Sequence, residues 1–319
     1  MKKSSHVFVS NNIRNLLPNV LVPINRLKRI IIKINMVSPY VLLSMTPRDI
    51  VEELIKYIRN LGFTGEILIA EGSAGCTWDG FRNSNFTKIA KQYDVELFDI
   101  HEDDSVEVPI FNKNFEEFYI PVSKTLINAE YLMSACRAKT HDTVIVTLSI
   151  KNVAVGGIVG VNNRPKIHQG YAAINFNIAL LAAIMYPDLA IVDGRIGMEG
   201  NGPVSGTPKK WGWIFIGENP LEVDSVVAKC MGFVPKNIGY LYYLSKLGFG
   251  KIENIQLIGA DFSRIKTKFK PHVTYEKQLK WKVSLDLENQ LIERIAKIIS
   301  KFPRGKKHLL FSDFSNFYF

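Results

Sequence analysis

Short β-branched runs alternating with helix-opening turns constrain this chain more than any other feature. Arg29-Ile-Ile-Ile-Lys-Ile-Asn-Met-Val37 reads as a buried strand, and Thr46-Pro47 then opens a helix to about Asn60, with a Ser/Thr cap and a proline in the first turn. Glu66-Ile-Leu-Ile-Ala70 is a second run, followed by the glycine turn Glu71-Gly72-Ser73-Ala74-Gly75, a helix from about Thr77 and a strand over 95–99. Such alternation predicts an α/β fold with a largely parallel sheet, right-handed crossovers and helices on both faces.

The pattern continues with strand candidates at 118–122, 131–135 and 143–150. A helix over 174–185 feeds a strand at 189–193, and a glycine loop runs over 194–206. A strand at 211–217, a helix at 220–231 and a last strand at 255–258 follow. Leu287, Leu291, Ile295, Ile298 and Phe302 stand at helical spacing and predict a C-terminal amphipathic helix. Beyond it lies an aromatic tail with Phe311, Phe314, Phe317, Tyr318 and Phe319, which suits packing on the body or a homodimer or membrane-surface contact. We read 1–262 as the α/β domain, with two α/β lobes as a variant, and 263–319 as a basic helical extension.

With 47% apolar and 22% charged residues over 319 positions, the chain can bury a full core. No stretch reaches the roughly 20 apolar residues of a membrane span, because the best one, 178–186, stops at Pro187-Asp188. The basic start is followed by Asn11, Asn12, Arg14, Asn15 and Pro18, which break any export signal, so a cytoplasmic protein is expected. Cys76, Cys136 and Cys230 are far apart and odd in number, which argues against a disulfide framework, a zinc knuckle or an iron–sulfur cluster. Residues 1–33 carry seven Lys or Arg and no acid, and residues 264–319 carry thirteen against five acids. Basic ends of this kind suit a solvated surface or nucleic acid, although no nucleic-acid recognition motif accompanies them.

The chemistry-bearing residues concentrate between Lys139 and Gly206. Lys139-Thr140-His141-Asp142-Thr143 is the densest cluster, followed by Thr147, Ser149, Lys151, Asn152 and His168. If 143–150 is a strand, Thr143, Thr147, Ser149 and Lys151 share one face, which is either solvated or lines a pocket. His141 and His168 suit proton transfer near neutral pH, and lysines suit a carboxylate or carbonyl oxygen. With Asp142, Asp193, Glu199 or Asp224 the histidines also offer donors for a divalent metal, without the spacing of a defined metal motif. Glu71 to Gly75 sits at a strand-to-helix turn where backbone N–H groups hold anions, but it lacks the glycine pattern of a dinucleotide fingerprint and the Lys-Ser/Thr of a P-loop. Five glycines between 194 and 206, beginning at the carboxyl end of an expected strand, suit close approach of backbone to a ligand.

Ile32-Lys-Ile-Asn-Met36, Ala70-Glu-Gly-Ser-Ala74, Pro121-Val-Ser-Lys124, Lys139-Thr-His141, Thr147-Leu-Ser-Ile-Lys-Asn152 and Val192-Asp-Gly-Arg-Ile-Gly-Met-Glu-Gly-Asn-Gly-Pro203 resemble the family called domain of unknown function 362, over about residues 28–260. Some members carry ferredoxin-type cysteine modules, and this chain has none. The lysine–histidine and lysine–asparagine segments are also similar to part of the nickel-pincer lactate racemase group, where a lysine and histidines surround a cofactor and a proton or hydride moves at a hydroxy-acid carbon. That likeness supplies a candidate chemistry.

These readings converge on an enzyme acting on a small anionic, carboxylate-bearing metabolite. Lys139, His141, Lys151 and His168 are the catalytic candidates. Lys33, Asn35, Glu71, Gly72, Ser73, Lys124, Thr140, Thr147, Ser149, Asn152, Gly200, Asn201 and Gly202 form the ligand-binding set, and Asp193 and Glu199 are candidates for a divalent metal. A noncatalytic metabolite- or metal-binding module and a nucleic-acid-associated protein are the alternatives.

Overall fold

The computed structural model describes residues 6–309. The expected aromatic tail from Phe311 lies outside the described residues. Eleven strands are present among them: β1 (His6–Ser10), β2 (Arg29–Lys33), β3 (Glu66–Glu71), β4 (Glu96–Asp99), β5 (Ser105–Phe111), β6 (Glu117–Ser123), β7 (Tyr131–His141), β8 (Ile145–Thr147), β9 (Leu189–Glu199), β10 (Thr207–Gly217) and β11 (Gln256–Ile258). The helices that frame the site are α1 (Arg48–Asn60), α2 (Thr77–Asn83), α3 (Phe86–Tyr93), α4 (Lys124–Ile127), α5 (Ser149–Gly156), α6 (Gly170–Ile184), α7 (Pro220–Cys230), α8 (Gly239–Lys246), α9 (Phe262–Ile265), α10 (Tyr275–Gln278) and α11 (Leu285–Ile299).

The central sheet runs β11-β1-β10-β9-β7-β2-β3-β4, with β8 added to β7, while β5 and β6 form a separate hairpin. Every pair from β9 to β4 along this path is parallel, and β10 is antiparallel to both β9 and β1. From β2 the chain steps outward to β3 and β4. It then returns across β2 and lays down β7 and β9 on the other side, so the winding direction reverses between β2 and β7. In an open α/β sheet, the carboxyl ends of the two strands at such a reversal leave a crevice between diverging connections.

The β-branched runs are buried on both faces, as the sequence predicts. Ile30, Ile32, Ile67 and Ile69 face Ile50, Leu54 and Ile58 of α1 and Phe86 and Ile89 of α3. Ile31, Leu68, Leu132 and Cys136 face the core built by α5, α6, α7, α8 and α11. Every residue of α6 from Ala173 to Ile184 is buried, which explains why it reads as apolar all round. No single helix among the described residues is long and apolar enough to cross a membrane. The amphipathic α11 forms as expected, with a side-chain cap from Ser284 to Leu287 N, and it buries Leu291, Ile295 and Ile298 in the same core as α6.

Two local expectations fail. The strand expected over 143–150 is only Ile145–Thr147, and Ser149 already opens a helix, so Lys151 does not share a strand face with Thr147. The glycine loop expected over 194–206 begins later, since β9 continues to Glu199 and pairs with β10, which leaves 200–206 as the turn between them. The glycines inside β9 answer to aromatic packing. A Cβ on Gly194 would come within 2.4 Å of the Trp211 ring, and one on Gly197 within 2.8 Å of the Phe269 ring. The two strands not foreseen at 6–10 and 105–111 are a sheet strand beside β10 and half of the β5–β6 hairpin.

Because α11 shares its core with α6, Leu291→Ala should destabilise the whole chain by about 2–5 kcal/mol. Urea unfolding followed by far-UV circular dichroism should keep a single transition at a lower midpoint. A separate early transition would instead mark residues 263–309 as an independent unit.

Candidate functional site

The carboxyl ends of β2, β3 and β7 place Lys33, Glu71 and Lys139 around the reversal point. Lys33 is fully buried, and its Nζ donates to Glu71 Oε2 at 2.8 Å, to the Ile34 carbonyl at 2.7 Å and to Asn152 Oδ1 at 3.2 Å. Burial pulls its pKa down, and the Glu71 carboxylate opposes that pull. Asn152 Nδ2 closes the group with bonds to the Lys33 carbonyl and Ser134 Oγ, both at 3.1 Å. Asn35 Nδ2 donates to the same Asn152 Oδ1 at 3.1 Å.

On the other face Lys139 Nζ donates to Asn35 Oδ1 and, at 2.7 Å, to the Ser44 carbonyl. Burial lowers its pKa to about 7, and the charges of Lys151 and Arg137 push the same way. Thr46, expected to cap α1, instead ties the strand ends together. Its Oγ1 accepts from Asn35 N at 2.8 Å and donates to the Ala135 carbonyl at 2.7 Å.

α5 carries Lys151 and Asn152, and its start explains why the strand reading of this segment fails. Leu148 stands at the N-cap and has no side-chain acceptor. Asp224 of α7 takes that role: Oδ1 accepts from Ser149 N at 3.0 Å and Ser149 Oγ at 2.6 Å, and Oδ2 accepts from Ile150 N at 2.8 Å. A carboxylate at a helix N-terminus satisfies orphan amides and opposes the helix dipole. Burial still pushes the Asp224 pKa up to about 7 against those three donors. Ser149, a ligand-binding candidate, is therefore engaged in holding α5.

Lys151 is the least satisfied member of the cluster. It is 8% exposed, and its Nζ has no hydrogen-bond or ion-pair partner among the described residues. Burial lowers its pKa to about 8, with Asp142 opposing and Arg164 assisting. His141 is held neutral, its pKa lowered to about 3 by burial and by Lys151. Its Nδ1 lies 3.0 Å from both Asp142 Oδ1 and Thr143 N, so either tautomer is served there and Nε2 is left without a partner among the described residues. His168 sits at the rim, its pKa lowered by burial and then by Lys151. Thr147 Oγ1 is buried and unpaired.

Two groups that sequence reasoning missed complete the surroundings. Arg164 Nη2 lies 3.7 Å from Glu71 Oε1 and donates to the Gly156 carbonyl at 3.2 Å, while its Nε is buried without a partner. His101 Nε2 donates to the Ser73 carbonyl at 2.7 Å, which fixes the tautomer and leaves a buried, unpaired Nδ1. Both flank Gly72, where a Cβ would stand 3.0 Å from Arg164 Nη2 and 3.1 Å from the His101 ring. Ser73 N donates to Thr77 Oγ1, so the anion-nest reading of 71–75 gives way to a turn whose groups are largely paired. No local pattern marks Arg164 or His101, and Asp224, offered by the sequence only as a metal donor, instead starts α5; each reaches the site from a distant turn or helix.

The remaining candidates fall elsewhere. Lys124 lies at the opposite end of the sheet, in a crevice of about 470 Å³ with Arg29, Glu66 and Glu130, and pairs loosely with Asp104 at 3.6 Å. Asp193 is paired with Arg195 at 3.0 Å, and Glu199 lies 3.6 Å from Lys209 and accepts from Lys270 N. Among the described residues no three His, Cys, Asp or Glu side chains group to hold a metal ion. Gly200 bonds Lys270 and Thr140, and Asn201 accepts from Val273 N, so the Gly200–Asn201–Gly202 turn is clamped by the C-terminal segment.

Glu71→Gln should destabilise the fold by about 3–5 kcal/mol, since it leaves the Lys33 ammonium buried without its carboxylate. Chemical denaturation checks this, and a loss under about 1 kcal/mol would show that the pair is not structurally required.

The chain is similar to thylakoid-associated protein sll1697 of Synechocystis sp., with 27% identity over 134 residues that cover 41% of each chain. It thus spans about two-fifths of that relative's length. The family described as domain of unknown function (DUF362) matches residues 30–229, from β2 through nearly all of α7, and so takes in every group around Lys33, Lys139 and Lys151 described above. The protein belongs to the DUF362 family.

Proposed function

We propose that this protein binds a small, carboxylate-bearing anion at the reversal point between β2 and β7 and acts on it by acid/base chemistry. The observation that carries the reading is the Lys151 ammonium, nearly buried and without an acceptor, with the charges of Lys139 and Arg164 opposing its own. Glu71 is already committed to Lys33, and Asp142 stands half-exposed beside His141. Lys151 is thus left without a carboxylate of its own, and an incoming anion supplies one. Lys151 and Arg164 supply the ligand's charge partners in this reading, Lys33 and Lys139 contribute potential while fixing Asn35 and Asn152, and His141 Nε2 or His168 moves the proton. A bound anion also offsets the repulsion from Lys151 and raises the pKa of His141 toward a useful range.

Lys139 and Lys151 attract an anion only while protonated, so binding raises both pKa values and takes up protons between about pH 7 and 8. Affinity is then highest below that window and falls as pH rises through it, by up to about tenfold per pH unit for each lysine involved. Calorimetry with lactate or oxalate in two buffers of different ionisation enthalpy measures both effects. PH-independent binding without proton uptake would refute the assignment. Lys151→Ala should weaken binding about tenfold or more. Binding without turnover of any tested hydroxy or oxo acid would favour the noncatalytic module.

A further inference from the structure

The three lysines of the cluster differ in what holds them. Lys33 has three acceptors and Lys139 has two, whereas Lys151 has none among the described residues. Lys151 is nearly buried and without protein acceptors, while its Nζ is not closed off from solvent, so the ammonium that draws in an anion coexists with the amine whose lone pair attacks carbonyl carbon. Lys151 is also held in place. α5 is pinned at its first turn by Asp224 and approached at its last by Lys33, whose Nζ would stand 2.5 Å from a Cβ on Gly156. Arg164, whose charge acts on Lys151, has a buried, unpaired Nε suited to one carboxylate oxygen, and Thr147, on the short strand before α5, has a buried, unpaired Oγ1.

From this arrangement we infer that Lys151 condenses with the carbonyl carbon of a 2-oxo acid to form an imine, with Arg164 taking the neighbouring carboxylate. The inference rests on the anion-binding reading and adds to it the substrate class and the nucleophile. The Nζ lone pair forms a bond to C2 while the C=O π pair moves to oxygen. A proton passes from nitrogen to that oxygen and gives the carbinolamine. A neighbouring imidazole takes the proton that the Lys151 ammonium gives up and returns it to the hydroxyl, which leaves as water, and nitrogen then releases its remaining proton to leave C=N. Amine and ketone become imine and water, and no oxidant or reductant is needed. The carboxylate selects 2-oxo acids over simple aldehydes because it is the group that the unpaired Arg164 Nε can hold.

Borohydride reduction of the full chain in the presence of pyruvate tests the step, since it converts an imine into a stable secondary amine. The expected result is one three-carbon adduct per chain, mapped to Lys151 by peptide mass spectrometry, absent with lactate and lost in Lys151→Arg. No adduct, or labelling spread over exposed lysines without Lys151, overturns the inference. Protection of the unmodified sequence by excess lactate is a second readout that does not depend on the variant folding: suppression of the adduct supports the site, and undiminished labelling overturns it. Calorimetric binding of lactate separates the two readings. Lactate binding without a pyruvate adduct removes the imine and leaves the anion site standing, whereas absence of both removes both.

Discussion

A fully buried ammonium at the end of a hydrophobic strand sets the terms for the centre of this molecule. Lys33 follows three consecutive buried isoleucines, and its desolvation is costly unless acceptors surround it. Glu71 supplies the charge, the Ile34 carbonyl and Asn152 supply the remaining acceptors, and Gly156 supplies the room. Each of these comes from a different element, so satisfying one cation fixes the relative positions of β2, β3 and α5. Asn152 and Asn35 then pass the constraint to β7 through Ser134 and Lys139. The network is polar, but it does the work that side-chain packing does elsewhere in the core.

Much of this was legible in the sequence. Strands β2, β3 and β9 announce themselves as β-branched runs, and α1 and α11 as 3.6-residue periodicities, because burial on one or both faces leaves that imprint directly on composition. Lys33, Glu71, Lys139 and Asn152 were legible for the opposite reason, as polar groups set into or beside apolar runs. What failed were readings that depend on long-range contacts. The start of α5 is invisible because its cap lies on α7, and the β9 glycines look like a flexible loop because the rings they accommodate, Trp211 and Phe269, come from later in the chain. Lys124 stood out by motif alone, and the geometry of β6 and α4 takes it to the wrong end of the sheet.

The sheet divides the cluster between its two faces. Lys33, Ser134 and Asn152 meet on the side of α5 and α6, whereas Lys139 turns toward Ser44 and the turn before α1. Asn35 bridges them by donating to Asn152 and accepting from Lys139, so its amide reads both faces. β8 extends this arrangement. It pairs with β7 at Lys139 while β9 occupies the other edge of the same residue, which puts β8 beyond the end of β2.

The Asp224 cap has a consequence for how much chain the site requires. The carboxylate that starts α5 lies 75 residues downstream of Ser149, past β9, β10 and their long hairpin. A fragment ending after β10 would retain every strand at the reversal point and still lack the group that starts the helix bearing Lys151. The span shared with the family runs from β2 into the last turn of α7 and so encloses both the first strand of the site and its most distant anchor. How much chain the Lys33–Lys139–Lys151 cluster needs is thus set by where a helix finds its missing acceptor, and the intervening hairpin is carried along as the connection between them.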